Sequence, residues 1–369
     1  MKITKVDCIP VSLPIEPLRD AYESYTELHY ALVFIHTDGG LTGIGEASPV
    51  DPSFYGETQA SMKAAVERYM QPLMKGRNPL DINQIESDID HRISGNSSAK
   101  AAVDMALYDL NGKTLGVPVY ELLGGLSREK APIALELGIT TTEDMPHVTA
   151  RELAMGAKAI KLHVGTSPEE DIREIRALRD AVGDKAEIRA DSNGYYTTSE
   201  AIEVLSKVKD CELEYFEQPV AKSNIDGLKR IKQRVDTPIA VDESVWTIQE
   251  ALEICKAEAA DVINIKITRV GGLNKAMKIA HIAQAAYMKC HVGCEFEFGV
   301  AMAAKAHLAL ALPDVPSGGA GEFTELVQLR DNIVREPLAI KNGFIEPSNK
   351  PGLGVEVDQE KIRKYSRNP

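Results

Sequence analysis

The sequence predicts an α/β fold, a closed βα barrel carrying an N-terminal α+β unit, and three observations lead there. From residue 131 onward, short apolar runs alternate strictly with amphipathic helical runs, the pattern of parallel strands joined by crossover helices. About seven or eight such units of about 25 residues each favour a closed barrel over an open doubly wound sheet. No Gly-x-Gly-x-x-Gly follows the first strand, which weighs against a dinucleotide-binding sheet.

In chain order, Lys2 to Leu13 has the alternation of a strand. Tyr30–Ile35 and Leu41–Glu46 flank Asp38-Gly39-Gly40 and read as a β-hairpin with a Gly-rich turn. The period then becomes helical over Glu57–Tyr69, Asp81–Ile93 and Ala99–Leu115. In the last of these Ala102, Met105, Ala106, Leu107, Leu110 and Leu115 make the apolar face. Strands followed by helices form the α+β unit, residues 1–125, and Gly124-Gly125-Leu126-Ser127 is its connector.

Residues 126–325 hold the barrel. Its β-like runs are Ile133–Ile139, Ala159–Val164, Glu187–Asp191, Glu214–Glu217, Ile239–Asp242, Val262–Lys266 and Lys289–Gly293. Helical runs such as Glu169–Val182, Ser199–Lys207, Ile225–Val235, Ile248–Lys256 and Leu273–Ala286 lie between them. Past Pro313 the pattern weakens. Turns at Asn342-Gly343-Phe344 and Lys350-Pro351-Gly352-Leu353-Gly354 join short strands, and the segment 326–369 is expected to return to the N-terminal unit.

Composition excludes several functions. A formal net charge of −13 over 369 residues repels phosphate backbones, so no nucleic-acid partner is expected. No apolar run reaches the roughly 18 residues of a membrane span, and the N-terminus has no signal-peptide core. Five cysteines, mostly in apolar segments, fit a reducing compartment, and a cytoplasmic location is expected. Cys290 and Cys294 have no second cysteine pair after them, so no zinc site is expected.

The chemistry concentrates at strand ends. Asp191, Glu217, Asp242 and Lys266 each close a β-run and are separated by 26, 25 and 24 residues, one βα unit each. Such spacing places them on adjacent strands at a common height, at the C-terminal ends where barrel active sites are built. Three converging carboxylates repel one another unless a cation lies between them. An all-oxygen donor set favours a hard cation, Mg²⁺, with Mn²⁺ as the alternative. The plainer reading makes each acid a helix N-cap or a solvated loop residue.

Lys266 is either a salt-bridge partner of these acids or a general base whose pKa is lowered by a cation and partial burial. Lys161 and His163, two apart in Ile160-Lys161-Leu162-His163-Val164, share one face of their strand, the interior one. Burying such a pair without partners is costly. The second strand lies across the barrel from the sixth, so two bases face each other over a bound substrate.

On these residues the chain resembles the enolase superfamily, and within it the muconate-lactonizing-enzyme-like group. The resemblance runs over essentially the whole sequence. It rests on Gly43-Ile44-Gly45-Glu46, on the stretch from Ala99 to Leu110 and on Ala190-Asp191-Ser192-Asn193-Gly194. It rests further on Phe216-Glu217-Gln218-Pro219, Val241-Asp242-Glu243-Ser244 and Lys266-Ile267-Thr268-Arg269-Val270-Gly271-Gly272-Leu273. It implies a capping domain followed by a modified TIM barrel, (β/α)7β. It implies that Asp191, Glu217 and Asp242 hold Mg²⁺, that Lys266 is an acid/base catalyst, and that the reaction removes the proton α to a carboxylate to give a metal-stabilised enediolate. The group usually carries Lys-x-Lys on the second strand. Here Lys161-x-His163 stands in its place, so either His163 is the opposite-face base or Lys266 acts alone and His163 orients the substrate. In His291-Val292-Gly293-Cys294-Glu295-Phe296-Glu297 the resemblance points to Glu297 near the substrate and leaves His291 structural.

Substrate contacts are expected from Asn193, from Glu297, from the loops Glu16–Leu28 and Val50–Thr58 with Tyr22, Tyr25 and Tyr55, and from Glu322-Phe323-Thr324-Glu325. The expected partners are a small-molecule carboxylate and further copies of the chain in a homo-oligomer. Three functions follow: a racemase or epimerase of an amino acid derivative, a cycloisomerase or dehydratase of a small carboxylate, and an inactive barrel kept as a binding protein.

Overall fold

This computed structural model describes residues 1–19, 24–48, 56–346 and 348–366. The N-terminal alternation becomes an antiparallel sheet of β1 (Ile3–Arg19), β2 (Ser24–Thr37) and β3 (Thr42–Ala47), in that order. The Gly-rich turn joins β2 to β3, with Phe34 opposite Ile44 and Ile35 opposite Gly43. Helices follow at Gln59–Ala64 (α1), at a π-helical turn Ala65–Met70, and at Gln71–Met74 (α2), Ile82–Arg92 (α3) and Ser97–Leu115 (α4). Glu57, expected inside the first helix, precedes it. Thr58 caps α1, and the Glu57 carboxylate accepts from the Ser98 N–H at the start of α4, 2.9 Å away.

Gly43 and Gly45 are required by close packing. A Cβ on Gly45 would lie 1.9 Å from the Ala102 carbonyl oxygen, and one on Gly43 2.0 Å from that of Ala106. Glycine on β3 and alanine on α4 therefore let strand and helix touch backbone to backbone.

Eight parallel strands follow: β4 (Ala131–Leu137), β5 (Ala159–His163), β6 (Glu187–Asp191), β7 (Tyr215–Glu217), β8 (Ile239–Val241), β9 (Val262–Ile265), β10 (Lys289–Val292) and β11 (Gly321–Glu322). Each pairs with the next, and β11 pairs with β4, closing the barrel. The first seven are followed in turn by α5 (Met145–Ala154), α6 (Pro168–Val182), α7 (Thr198–Lys207), α8 (Ile225–Lys232), α9 (Ile248–Ala257), α10 (Leu273–Ala285) and α11 (Gly299–Ala311). β11 is followed directly by the short helix Glu325–Gln328 in place of a long crossover helix, so the barrel is (β/α)7β. Alternation divides each strand. Ile160, Leu162, Ile188 and Ala190 are buried in the apolar core, while Lys161, Arg189 and Tyr215 lie in register on the other face.

The cap grips the barrel through polar contacts. Glu46 on β3 accepts from the N–H groups of Phe298, Val300 and Ala301 at the start of α11, at 2.8, 3.1 and 2.9 Å. After the barrel, β12 (Phe344–Ile345) lies antiparallel to β4, and isolated bridges join Ile15 to Leu329 and Val11 to Ser366. Among the described residues no helix is long and apolar enough to cross a membrane.

Candidate active site

Asp191, Glu217 and Asp242 stand at the C-terminal end of the barrel, on three neighbouring strands. His163 pairs with Asp191, and Asp191 with Glu217. Glu217 then pairs with Ala240, so Asp242 stands two residues farther along its strand. In a barrel of tilted strands such an offset belongs to the stagger of the register, and all three acids stand at or just past the ends of neighbouring strands.

These acids do not cap the following helices. Thr197 caps α7, Asn224 caps α8 and Thr247 caps α9, each accepting an N–H from the first turn of its helix. All three carboxylates are buried. Left-handed backbone at Asn193 (φ 45°) and Gln218 (φ 39°) turns the chain away just after Asp191 and Glu217. Such a conformation is costly outside glycine and is held here by tertiary bonds. The Gln218 amide ties two loops together. Its Oε1 accepts from the N–H groups of Asp242 and Ser244 at 3.0 and 3.2 Å, and its Nε2 donates to Ser244 Oγ at 2.9 Å.

Lys161 Nζ lies at the centre of the acids, 2.7 Å from Glu136, 3.0 Å from Glu322, 3.4 Å from Asp191 and 3.5 Å from Glu217. Burial alone would lower its pKa, but these carboxylates hold it well above the usual lysine range. Lys161, expected with Lys266 and His163 among the catalytic residues, is thus held as an ammonium by four carboxylates. Lys266 Nζ sits at the mouth, 3.1 Å from Asp242 and 3.2 Å from Glu295. Across the barrel, His163 Nδ1 lies 3.2 Å from Asn193 Oδ1, and Nε2 lies 3.9 Å from Glu136. Asn193 Nδ2 donates to Glu243 at 3.0 Å, which turns its carbonyl oxygen toward His163. Asn193, expected at the substrate, thus orients His163 and Asp191.

Glu297 is also displaced from its expected place. It is buried against Lys305 Nζ at 2.8 Å and accepts from the Glu295 N–H at 2.9 Å, while Glu295 is the acid that reaches Lys266. His291 is fully buried beside the Tyr215 hydroxyl, and burial pushes its pKa to about 3, so it stays neutral. Tyr25 belongs to β2 opposite Leu18, with its side chain outside the described residues, where Tyr22 and Tyr55 also lie. Sequence reasoning passed over Asn264, whose Nδ2 donates to Glu217 at 2.6 Å, and Arg269, paired with Asp242 and with Glu295. Arg269 stands in the Lys266–Leu273 stretch that carries the resemblance, one helical turn after Lys266, but was given no role.

The donor set suits a hard cation. Burial first, and neighbouring acids next, push Asp191 up to about 7 and Glu217 well above the carboxylate range, although Lys161 opposes both shifts. A cation among them removes that cost. Among the described residues, two buried groups bring ligand atoms within 4.8 Å of one another, Glu217–His291–Glu322 and Cys294–Glu297–Glu325; Asp191, Glu217 and Asp242 are spaced more widely than that. Lys161 already pairs with both glutamates of the first, and Lys305 with both of the second.

Residues 3–124 match the mandelate racemase / muconate lactonizing enzyme N-terminal domain, and residues 145–361 match the enolase C-terminal domain-like family. The chain belongs to the mandelate racemase / muconate lactonizing enzyme family. Among its relatives is the N-succinyl-L-Arg/Lys racemase of Bacillus cereus, 33% identical over 368 residues, 99% of this chain and 98% of the relative. The crystal structure of the Bacillus cereus racemase superposes with a TM-score of 0.94 at 32% identity, covering 100% of this chain and 99% of the other. The chloromuconate cycloisomerase of Pseudomonas putida is 31% identical over 378 residues, 100% of both chains. A dipeptide epimerase from Enterococcus faecalis, complexed with Mg and the dipeptide L-Leu-L-Tyr, superposes with a TM-score of 0.90 at 32% identity, covering 96% of this chain and 99% of the other. The family is thus one of racemases, epimerases and cycloisomerases.

Proposed function

We propose that this chain is a Mg²⁺-dependent racemase or epimerase of an amino acid derivative, acting by removal of the proton α to a carboxylate. The observation that carries the reading is the placement of His163 on β5 and Lys266 just past β9, the second and sixth of eight strands, with the buried acids between them. Asp191, Glu217 and Asp242 would hold Mg²⁺, or Mn²⁺ in its place. Once bound, the cation supplies positive charge against the second negative charge that builds on the substrate carboxylate as the α-proton leaves.

The residues divide the remaining work. Lys266 takes or returns a proton at Nζ on one face of the α-carbon. His163 does so at Nε2 on the other, because Asn193 Oδ1 accepts from Nδ1–H and fixes the tautomer. Removal on one face and return on the other inverts the centre. Lys161 keeps its proton and supplies fixed positive charge beside the acids. The cap over residues 1–125 and the returning segment 326–369 close the unit, a reading supported by the bridges Ile15–Leu329 and Val11–Ser366.

Incubation in D₂O with Mg²⁺ and a panel of N-substituted amino acids tests this. Deuterium should enter at Cα as the enantiomers interconvert, and a panel with neither exchange nor interconversion overturns the proposal. The full-length similarity to a chloromuconate cycloisomerase favours a second reading, in which the enediolate closes a ring or expels a neighbouring group. Gain or loss of conjugated ultraviolet absorbance identifies that outcome.

A further inference from the structure

His163 ends β5 with its side chain 29% exposed, and what holds it in place lies behind it, in the loops that follow β5 and β6. The first loop, residues 164–167, runs into α6. Ser167 caps that helix by accepting from the Glu170 N–H, so the Asp171 carboxylate is left for another task. Asp171 is fully buried. Its Oδ1 accepts from the N–H groups of Gly165 and Thr166 at 3.0 and 3.1 Å and from the Thr166 hydroxyl at 3.1 Å. Its Oδ2 accepts from the hydroxyl of Tyr196, which is also buried. Tyr196 ends the second loop, residues 192–196, which carries Asn193. Tyr195 adds a second tie, donating from its hydroxyl to the Thr166 carbonyl oxygen at 2.8 Å. The second loop is itself anchored to the end of the next strand, where the N–H groups of Gly194 and Tyr196 donate to the carbonyl oxygens of Gln218 and Pro219 at 2.7 and 3.1 Å. At the front the same two loops meet again, through His163 Nδ1 and Asn193 Oδ1 at 3.2 Å.

Resting on the reading above, we propose that Tyr196, acting through Asp171, is a positioning residue for His163: it locks the loop after β5 to the loop after β6 and so fixes the bond from His163 Nδ1 to Asn193 Oδ1. A base has to stay close to the proton it moves, and a misplacement of about 1 Å costs about 10²-fold in rate. The His163 ring is partly exposed, so packing alone does not hold it. A hydrogen bond on the ring nitrogen that faces away from the reaction sets both tautomer and orientation. That bond is only as firm as the hold of the two loops on each other. The tie behind it is buried and ends on a carboxylate, where a hydrogen bond is strong. Lys266 stands across the barrel, just past β9, and pairs with Asp242 and Glu295 instead. The effect of Tyr196 is therefore one-sided, on the face of the α-carbon that His163 serves.

The test compares wild type, Tyr196→Phe and Asp171→Asn. Tyr196→Phe removes one hydroxyl and keeps the ring, whose centroid lies 6.2 Å from that of Phe216. Asp171→Asn keeps an acceptor for the loop N–H groups and offers an amide N–H to the Tyr196 oxygen, so it should preserve the tie. The first readout is α-deuterium exchange, with Mg²⁺, of each enantiomer of an N-substituted amino acid. The enantiomer whose exchange His163→Ala abolishes marks the His163 face. Tyr196→Phe should lower exchange of that enantiomer about tenfold relative to the other, and Asp171→Asn should keep the ratio near wild type. The second readout is the ring ¹⁵N spectrum of His163 without substrate at about pH 8.5, where an ordinary imidazole is neutral. Wild type should show the Nδ1–H tautomer, and Tyr196→Phe a mixture of both. Equal loss for the two enantiomers with an unmoved tautomer is what a merely structural role gives, and it overturns the proposal. Exchange of neither enantiomer by wild type overturns the racemase reading instead. The tautomer then decides alone: a mixture in Tyr196→Phe supports the positioning role, and an unmoved spectrum overturns it.

Discussion

Lys161 and Lys305 are both buried ammonium groups, and each sits between two glutamates. Lys305 on α11 pairs with Glu297 and Glu325, all three essentially without exposure, under the cap residue Tyr30 whose hydroxyl donates to the Phe296 carbonyl oxygen at 2.6 Å. Burial pushes Glu325 well above the carboxylate range while Lys305 holds Glu297 below it. One proton and one ammonium therefore satisfy two carboxyls in a closed space. Around Lys161 the same triad of Lys, Glu136 and Glu322 opens toward the mouth and is joined by Asp191 and Glu217. Composition does not separate the two clusters. Access does, together with the surplus of acids that only a cation can complete.

The largest expected effect lies at the open end. Lys266→Ala should lower α-proton exchange by about 10³-fold or more, measured as deuterium incorporation, whereas loss below about tenfold would remove Lys266 from proton transfer. Next comes the contrast between the two ammonium groups. Lys305→Met leaves a buried carboxylate unpaired and should cost about 3–5 kcal/mol in urea unfolding, with no recovery on adding Mg²⁺. Lys161→Met should also destabilise, but Mg²⁺ should restore part of the loss because it takes up two of the four acids. Equal response of both variants to Mg²⁺ would erase the distinction.

A smaller effect concerns the cation itself. Wild type should gain about 2.7 kcal/mol of stability at a Mg²⁺ concentration 100-fold above its dissociation constant, and Asp191→Asn should lose most of that gain. An unchanged gain in the variant would place the cation elsewhere. The smallest effect is in pH. Burial, and the nearby Glu297 charge, push Glu46 up to about 8 although the N–H groups of Ala301 and Phe298 and the Ser48 hydroxyl oppose the shift. An acid raised on folding keeps its stabilising contribution below its unfolded pKa and loses it as pH rises through the folded value. Wild type should therefore weaken relative to Glu46→Gln between about pH 4.5 and 8, and flat relative stability across that window would contradict this environment for Glu46.

The barrel and its strand-end acids were legible because both depend on periods, two along a strand and one βα unit between strands. Departures come where a period breaks. Phe296 has φ 52°, so the alternation that should set Glu295 and Glu297 on one side fails, and Glu295 rather than Glu297 meets Lys266. Lys305 gave no signal, since one lysine in an alanine-rich helix looks like a solvated position until the cap covers it. Gln218 and Asn264 act across strand neighbours that only barrel closure defines. Glu136 and Glu322 meet because β11 pairs with β4, a contact between the two ends of the barrel sequence.

The central claim is that two bases face one α-carbon from opposite sides. It is tested most directly by following deuterium into each enantiomer of a turned-over substrate for His163→Ala and Lys266→Ala. The account predicts that each variant loses racemisation yet still exchanges one enantiomer, and that the two retain opposite ones. Exchange of both enantiomers by His163→Ala, at the wild-type rate, would contradict it.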